Sequence, residues 1–192
     1  MISKICLPAQ CAGKRYNQSM DPFFAFIAFA VLITLETLAA QSGLPAYFRF
    51  GLPIFMGRRP DSNLQPASQL APLLSERLQT SAGNPSIHLR VLSPTEIALQ
   101  ERLFENRPGG RYLPVMHSLL RLDSARGQVT LIGFLNLYVL AAVGYAVYRS
   151  LGDRSFIPVA LLIVLLLLVS YVLQAGLNQR ILSAVSKNDA HL

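Results

Sequence analysis

Three long apolar runs set the plan of the chain. The first, Phe23 to Ala40, is interrupted by one charge, Glu36. The second, Val129 to Tyr148, contains Asn136, and the third, Phe156 to Leu173, includes an unbroken apolar core from Val159 to Val169. A helix rises about 1.5 Å per residue, so about 20 residues cross a hydrocarbon layer of about 30 Å, far more than an ordinary strand uses. Transmembrane helices are therefore predicted over 23–42 and 155–175. The second run is divided. Ser124-Ala-Arg-Gly127 has turn composition with a glycine suited to a left-handed position, which predicts a strand over 128–133 and a transmembrane helix over 134–151. One continuous helix from Gln128 is the rival reading. Only Arg149 to Arg154 joins the second and third helices, so they should form an antiparallel hairpin.

Between the first helix and this hairpin the pattern changes. Residues 43–86 open with Leu44 to Arg59, where aromatic rings alternate with Arg49, Arg58 and Arg59, the composition of a membrane–water interface. Pro45, Gly51 and Pro53 argue against a long helix there, and the stretch from Pro60 to Pro85 reads as a linker holding a short amphipathic helix, Pro72 to Gln79. Residues 87–133 predict a small β-α-β-β module. Ile87 to Val91 alternates with the period of a half-buried strand. Ser93-Pro94-Thr95-Glu96 has the form of a capping box with proline at the first helical position, predicting a helix over 94–105. Tyr112 to Leu122 and Gln128 to Gly133 supply the remaining strands. Residues 1–22 and 176–192 are read as tails. The fold class expected is an α-helical integral membrane protein with three transmembrane helices and a small α+β extramembrane module.

Composition supports that class. Of 192 residues, 52% are hydrophobic and 14% charged, against about 25% charged in a typical soluble domain. A disordered tail protein, a disulfide scaffold and an ordinary cytosolic enzyme are excluded on this basis. The net charge of +7 does not gather on one soluble unit and the chain has no Trp, so nucleic acid is not an expected partner. Cys6 and Cys11 read as free thiols.

The charge does bear on topology. Arg49, Arg58, Arg59, Arg111, Arg121, Arg126, Arg180 and Lys187 lie on the side of the middle segment. Lys4, Lys14, Arg15, Arg149 and Arg154 lie on the other. Positive residues near helix ends favour the cytoplasm, so segment 43–128 is expected inside a multi-pass protein of the inner or plasma membrane. Cleavage of a secretory signal after Thr37-Leu-Ala-Ala40 is the competing reading, and would place that segment outside.

Candidate chemistry is sparse. His88, His117 and His191 show no metal-ligand spacing, and no phosphate-binding glycine loop occurs; Arg107-Pro-Gly-Gly-Arg111 reads as a turn. His88 and His117 read as polar strand-face histidines, with a meeting across neighbouring strands as the alternative. His117 and Ser118, adjacent on one strand, point to opposite faces and cannot act as a pair. Within the apolar spans Glu36 and Asn136 stand out. Glu36 lies about 6 Å along the axis from Ala40, within reach of interfacial water, so Glu36→Gln is expected to be mild. A proton or substrate role is the alternative. Asn136 is expected to bond across helices beside the small-residue pair Ala142 and Ala146. Arg49, Arg58 and Arg59 are the candidate lipid-interface residues. No catalytic, cofactor or metal site is expected. The function this pattern implies is a non-enzymatic accessory, assembly or scaffold subunit whose partners are the bilayer and another protein or copy of itself. The alternative is a component of an oligomeric transporter or proton-handling complex using Glu36.

Overall fold

The computed structural model describes residues 22–61, 64–80, 87–101 and 114–186; Cys6, Cys11, the Arg107–Arg111 turn and His191 lie outside them. The first apolar run forms α1 (Pro22–Ser42). It ends on Gly43 at φ 67°, where Gly43 N–H donates to Ala40 O and Leu44 N–H to Ala39 O. This double bond satisfies the last carbonyls and needs the left-handed backbone that glycine adopts without a Cβ clash. A short helix α2 (Pro45–Arg49) follows, with proline at its start. Then come β1 (Leu52–Pro60), α3 (Ala67–Thr80), β2 (Ile87–Ser93), β3 (Glu96–Glu101), β4 (Met116–Asp123), β5 (Gln128–Leu135), α4 (Leu137–Gly152) and α5 (Ile157–Ser186). A single turn of 3₁₀ helix, Arg154–Phe156, leads into α5.

The five strands form one antiparallel sheet in the order β1-β5-β4-β3-β2. The hairpin over Ser124–Gly127 is as expected: Asp123 pairs with Gln128, and Gly127 sits at φ 55°. Two expectations are corrected. The helix over 94–105 is not formed; Ser93-Pro94-Thr95-Glu96 is the tight turn of the β2–β3 hairpin, with Ser93 paired to Glu96. Serine at the first turn position and proline at the second suit a β-turn as well as a helix start. Here Ser93 Oγ accepts the Thr95 N–H at 3.3 Å. Burial decides the outcome, because Ile97, Ala98 and Leu99 are all covered in β3 by the two layers flanking the sheet. The second correction is β1, read from sequence as an interfacial loop. Its prolines are tolerated because β1 is an edge strand, and a bulge at Ile54 separates the pairs Pro53–Phe134 and Phe55–Gly133. The module is thus a five-stranded sheet rather than β-α-β-β.

Each sheet face is packed by the chain's own helices. On one face Ile97, Leu99, Leu120 and Leu131 meet Leu74 of α3 and Ile181 of α5. On the other, Ala98, Leu119, Ile132 and Phe134 meet Ala40 at the end of α1 and Phe48 of α2. The α5 contribution corrects the reading of 176–192 as a tail. Gln174, Leu177, Asn178, Ile181, Leu182 and Val185 recur at helical spacing and are buried, so α5 continues past its apolar part onto the sheet. Gly57 permits this approach, since a Cβ there would collide with Leu182.

Among the described residues two helical spans, Phe23–Ser42 and Arg154–Val185, are long and apolar enough to cross a membrane. The third expected span does not meet that length. Residues 128–135 are committed to β5, leaving α4 with 16 residues, about 24 Å of helix.

The corrected hairpin is directly testable. His88 pairs with Gln100 across β2 and β3, whereas Leu99 points to the opposite face. In a background lacking Cys6 and Cys11, His88→Cys/Gln100→Cys should form an intrachain disulfide under mild oxidation and His88→Cys/Leu99→Cys should not. Equal behaviour of the two pairs would contradict the hairpin register.

Candidate functional site

Strand β5 passes into helix α4 with one residue, Asn136, between them. The first N–H groups of a helix have no partner within it. Asn136 sits where a capping side chain would, yet makes no cap hydrogen bond. Its side chain is committed elsewhere: Nδ2 donates to the Pro114 carbonyl at 3.0 Å, and Oδ1 lies 2.9 Å from His117 Nδ1. Capping is supplied by α1 instead. Glu36 Oε1 accepts the Leu137 N–H at 3.0 Å and Oε2 accepts the Tyr138 N–H at 3.1 Å. The carboxylate also accepts the Tyr47 hydroxyl at 3.0 Å. A negative group at this point also complements the positive end of the helix dipole.

Glu36 is 5% exposed and Asn136 is equally buried. This differs from the sequence expectation for both. Glu36 does not reach out to water; its charge is held by three donors. Asn136 does not bridge transmembrane helices but ties the α4 start to the sheet, with its own N–H donating to Val115 O at 2.9 Å. Ala146 is buried where α4 packs, and Ala142 is half-buried. His88 and His117 do not meet, because β3 lies between their strands.

His117 occupies the centre of this cluster. Its ring stacks on Tyr47 at 4.1 Å between centroids and on Phe134 at 5.6 Å, with Phe48 edge-on. The Asn136 amide is oriented by its bond to Pro114 O, so Oδ1 faces the imidazole and His117 Nδ1 carries the hydrogen. Nε2 is then an acceptor, and it is buried with no hydrogen-bond partner. Burial lowers the imidazole pKa below its ordinary value, outweighing the Asn136 bond and the Glu36 charge, which act in the opposite direction. Burial and the Glu36 carboxylate both raise the Tyr47 phenol, so Tyr47 remains a donor.

A second polar group continues along the same boundary. Gln174 of α5 accepts the Val115 and Met116 N–H groups through Oε1, at 2.8 and 3.0 Å, and donates to Glu101 at 3.2 Å. Ser118 Oγ donates to Asn178 Oδ1 at 3.3 Å, on the face opposite His117. Gln174, Asn178 and Glu101 had no motif to mark them. For Gln174 and Asn178 the signal is the polar interruption of an otherwise apolar helical face in α5.

The interface arginines have separate places. Arg49 is paired with Glu96 at 2.8 Å, and Arg121 joins the same carboxylate at 3.2 Å. Arg58 and Arg59 are exposed on β1, with Arg58 against Met56 Sδ. None of the three enters the buried cluster. A cavity of about 550 Å³ lies between the end of α1 and strands β2 and β3, lined by Thr37, Gln41, Arg90, Gln100 and Glu101 among others. Arg90 donates to the Gln41 carbonyl at 3.1 Å on its wall. Among the described residues no group of three His, Cys, Asp or Glu side chains is arranged to hold a metal ion. The chain matches no family model, no curated protein and no solved structure.

The geometry reverses the mild outcome expected for Glu36→Gln. The amide would turn an N–H₂ group toward one of the donors now bound by the carboxylate. Leaving one such buried group unsatisfied costs about 1–3 kcal/mol. Thermal unfolding of the purified protein in detergent should show a clear loss of stability, and an unchanged midpoint would contradict the capping role.

Proposed function

We propose that the protein is a non-enzymatic integral membrane protein. In this reading α1, α4 and α5 lie in the bilayer and hold the sheet as a fixed platform at its surface. The platform serves as an accessory, assembly or scaffold subunit. The observation that carries the reading is the outward face of the helices. Phe26 is 69% exposed, Leu151 84% and Leu161 65%, within a continuous series of exposed leucine, valine and phenylalanine side chains on α1, α4 and α5. An apolar surface of that extent is stable against lipid and not against water. The buried groups at the base of these helices are polar, as expected where a bilayer ends.

The 16 residues of α4 fit this arrangement as a third, shorter crossing. They run beside the upper part of α5, with Arg149 at the far end placed 5.8 Å from the Phe156 ring. A short helix is accommodated by local thinning and by long side chains reaching the interface. The excess of arginine on the sheet side favours a cytoplasmic platform. The platform is not a loosely tethered domain. β5 runs into α4 through one residue, and α5 is continuous from its apolar part onto the sheet. Such a connection suits holding a partner at a set height above the membrane. A second reading, proton handling, is favoured by one observation: Glu36 and His117 share a buried cluster at the root of the helices.

Single cysteines at Ser68 and Ser155 test the arrangement in intact cells. An impermeant thiol reagent should label Ser155→Cys and spare Ser68→Cys, and the chain should resist alkaline extraction. The reverse labelling would overturn the orientation, and extraction would overturn the membrane anchor. In mild detergent the purified particle should contain a second protein or copy at fixed stoichiometry; a monodisperse monomer would contradict the subunit reading.

A further inference from the structure

The unpaired nitrogen of His117 requires an explanation, because nearly all buried polar atoms in folded proteins have a partner. His117 is 3% exposed, and its Nε2 faces no donor within the chain. Beside it is a small cavity of about 10 Å³, lined by Glu36, Thr37, Tyr47, Gln100, Glu101 and Tyr138 among others. That volume is about the space one water molecule needs, and the lining supplies several polar partners. Thr37, Gln100 and Glu101 also line the 550 Å³ cavity that lies next to it. A water in the void therefore has polar neighbours leading outward.

We infer that His117 Nε2 is a proton-binding site, reached through one buried water, and that its charge state is passed to the start of α4. The inference deepens the proton-handling reading and rests on it. The proton comes from solvent and is held at Nε2; no other bond changes. The groups facing the ring define what that charge would meet. From α1 there is the Glu36 carboxylate; the Glu101 carboxylate of β3 also lines the void but belongs to the opposite sheet face, where Gln174 of α5 donates to it. From α2 come the Tyr47 backbone, which favours the charged ring, and its phenol, from α4 the Tyr138 phenol, and from β5 the Phe134 ring. No lysine or arginine lines the void among the described residues. A positive ring would thus sit beside the Glu36 carboxylate, which should favour its formation.

The link to α4 runs through two bonds already present. His117 Nδ1–H donates to Asn136, the residue immediately before the helix, and a positive ring strengthens that bond. The same charge draws on Glu36, which now caps Leu137 and Tyr138. Protonation therefore shifts the balance of the α4 cap. The neutral ring is favoured by burial, so the unfolded chain binds the proton first as pH falls. Stability should then decline as pH drops below the ordinary histidine value of about 6.5, and stop declining once the folded protein is also protonated.

The test is a titration of the full chain in detergent micelles, with histidine nitrogens followed by long-range proton–nitrogen correlation from pH 8 to pH 4. Variants His88→Gln and His191→Gln assign the signals. At neutral pH His117 should carry its hydrogen on Nδ1, and it should titrate reversibly below the ordinary histidine range. Glu36→Gln should lower its midpoint, by about one pH unit, whereas Glu101→Gln, on the opposite sheet face, should leave it in place. The Leu137 and Tyr138 amide signals should move with the same midpoint. Should Glu36→Gln fail to fold, Asn136→Ser, which removes the acceptor of the Nδ1–H bond, carries the comparison and should also lower the midpoint. A hydrogen on Nε2 at neutral pH, no titration short of unfolding, a midpoint unmoved by loss of the Glu36 carboxylate, or helix amides that do not follow would each overturn the inference. Because the titration is read in micelles, its failure is separate from failure of the membrane platform, which the labelling experiment reports.

Discussion

A helix that begins inside an apolar layer must find acceptors for its first N–H groups where water does not reach. In this protein that constraint falls at Leu137 and Tyr138, one residue past the end of the sheet. Glu36 meets it from another helix, distant in sequence and adjacent in space. Much of the remaining architecture follows from this placement. Tyr47 completes the carboxylate's coordination, and that fixes α2 over the sheet. Asn136, released from capping, can hold His117 and the Pro114 carbonyl together. The open backbone donors at the start of β4 are met in the same way by Gln174 from α5. Helices and sheet are therefore joined by hydrogen bonds at the level where both lose access to water, with apolar contacts above and below.

This arrangement gives the proposed platform its mechanical character. A displacement of α1 along its axis would withdraw Glu36 from α4, and a displacement of α5 would withdraw Gln174 from β4. Either leaves buried donors unpaired, at about 1–3 kcal/mol each. The helices and the sheet are consequently coupled through these hydrogen bonds. A proton placed on His117 acts beside the Asn136 and Glu36 connections, which is why its effect would extend to the start of α4.

The sequence carried some of this openly. Length and apolarity mark α1 and the upper part of α5. The Ser124–Gly127 turn and the strands around it follow from glycine and alternation, and the division of the second apolar run into β5 and α4 follows from the same turn. The β2–β3 hairpin was hidden because Ser-Pro-Thr-Glu serves a turn and a helix start equally well, and only the burial of Ile97 to Leu99 between two layers separates the outcomes. β1 was hidden because edge strands accept the prolines and glycines that mark loops. Within the site, Glu36 and Asn136 were visible as polar residues in apolar runs. Their partners were not, since Tyr47, His117 and Pro114 come from distant segments that only the tertiary fold brings together. Position near the end of α1 suggested water for Glu36, whereas the neighbouring helix start and Tyr47 bury it.

The central claim is that Glu36 joins α1, α2 and the start of α4 as one cooperative unit. A double-mutant cycle of Glu36→Gln and Tyr47→Phe, read by thermal or denaturant unfolding of the full chain in detergent, tests it most directly. Residues acting through one buried network should couple by about 0.5–3 kcal/mol, so the double variant should differ from the sum of the single losses. Additive losses within the usual error for independent sites, about 0.5 kcal/mol, would contradict the account.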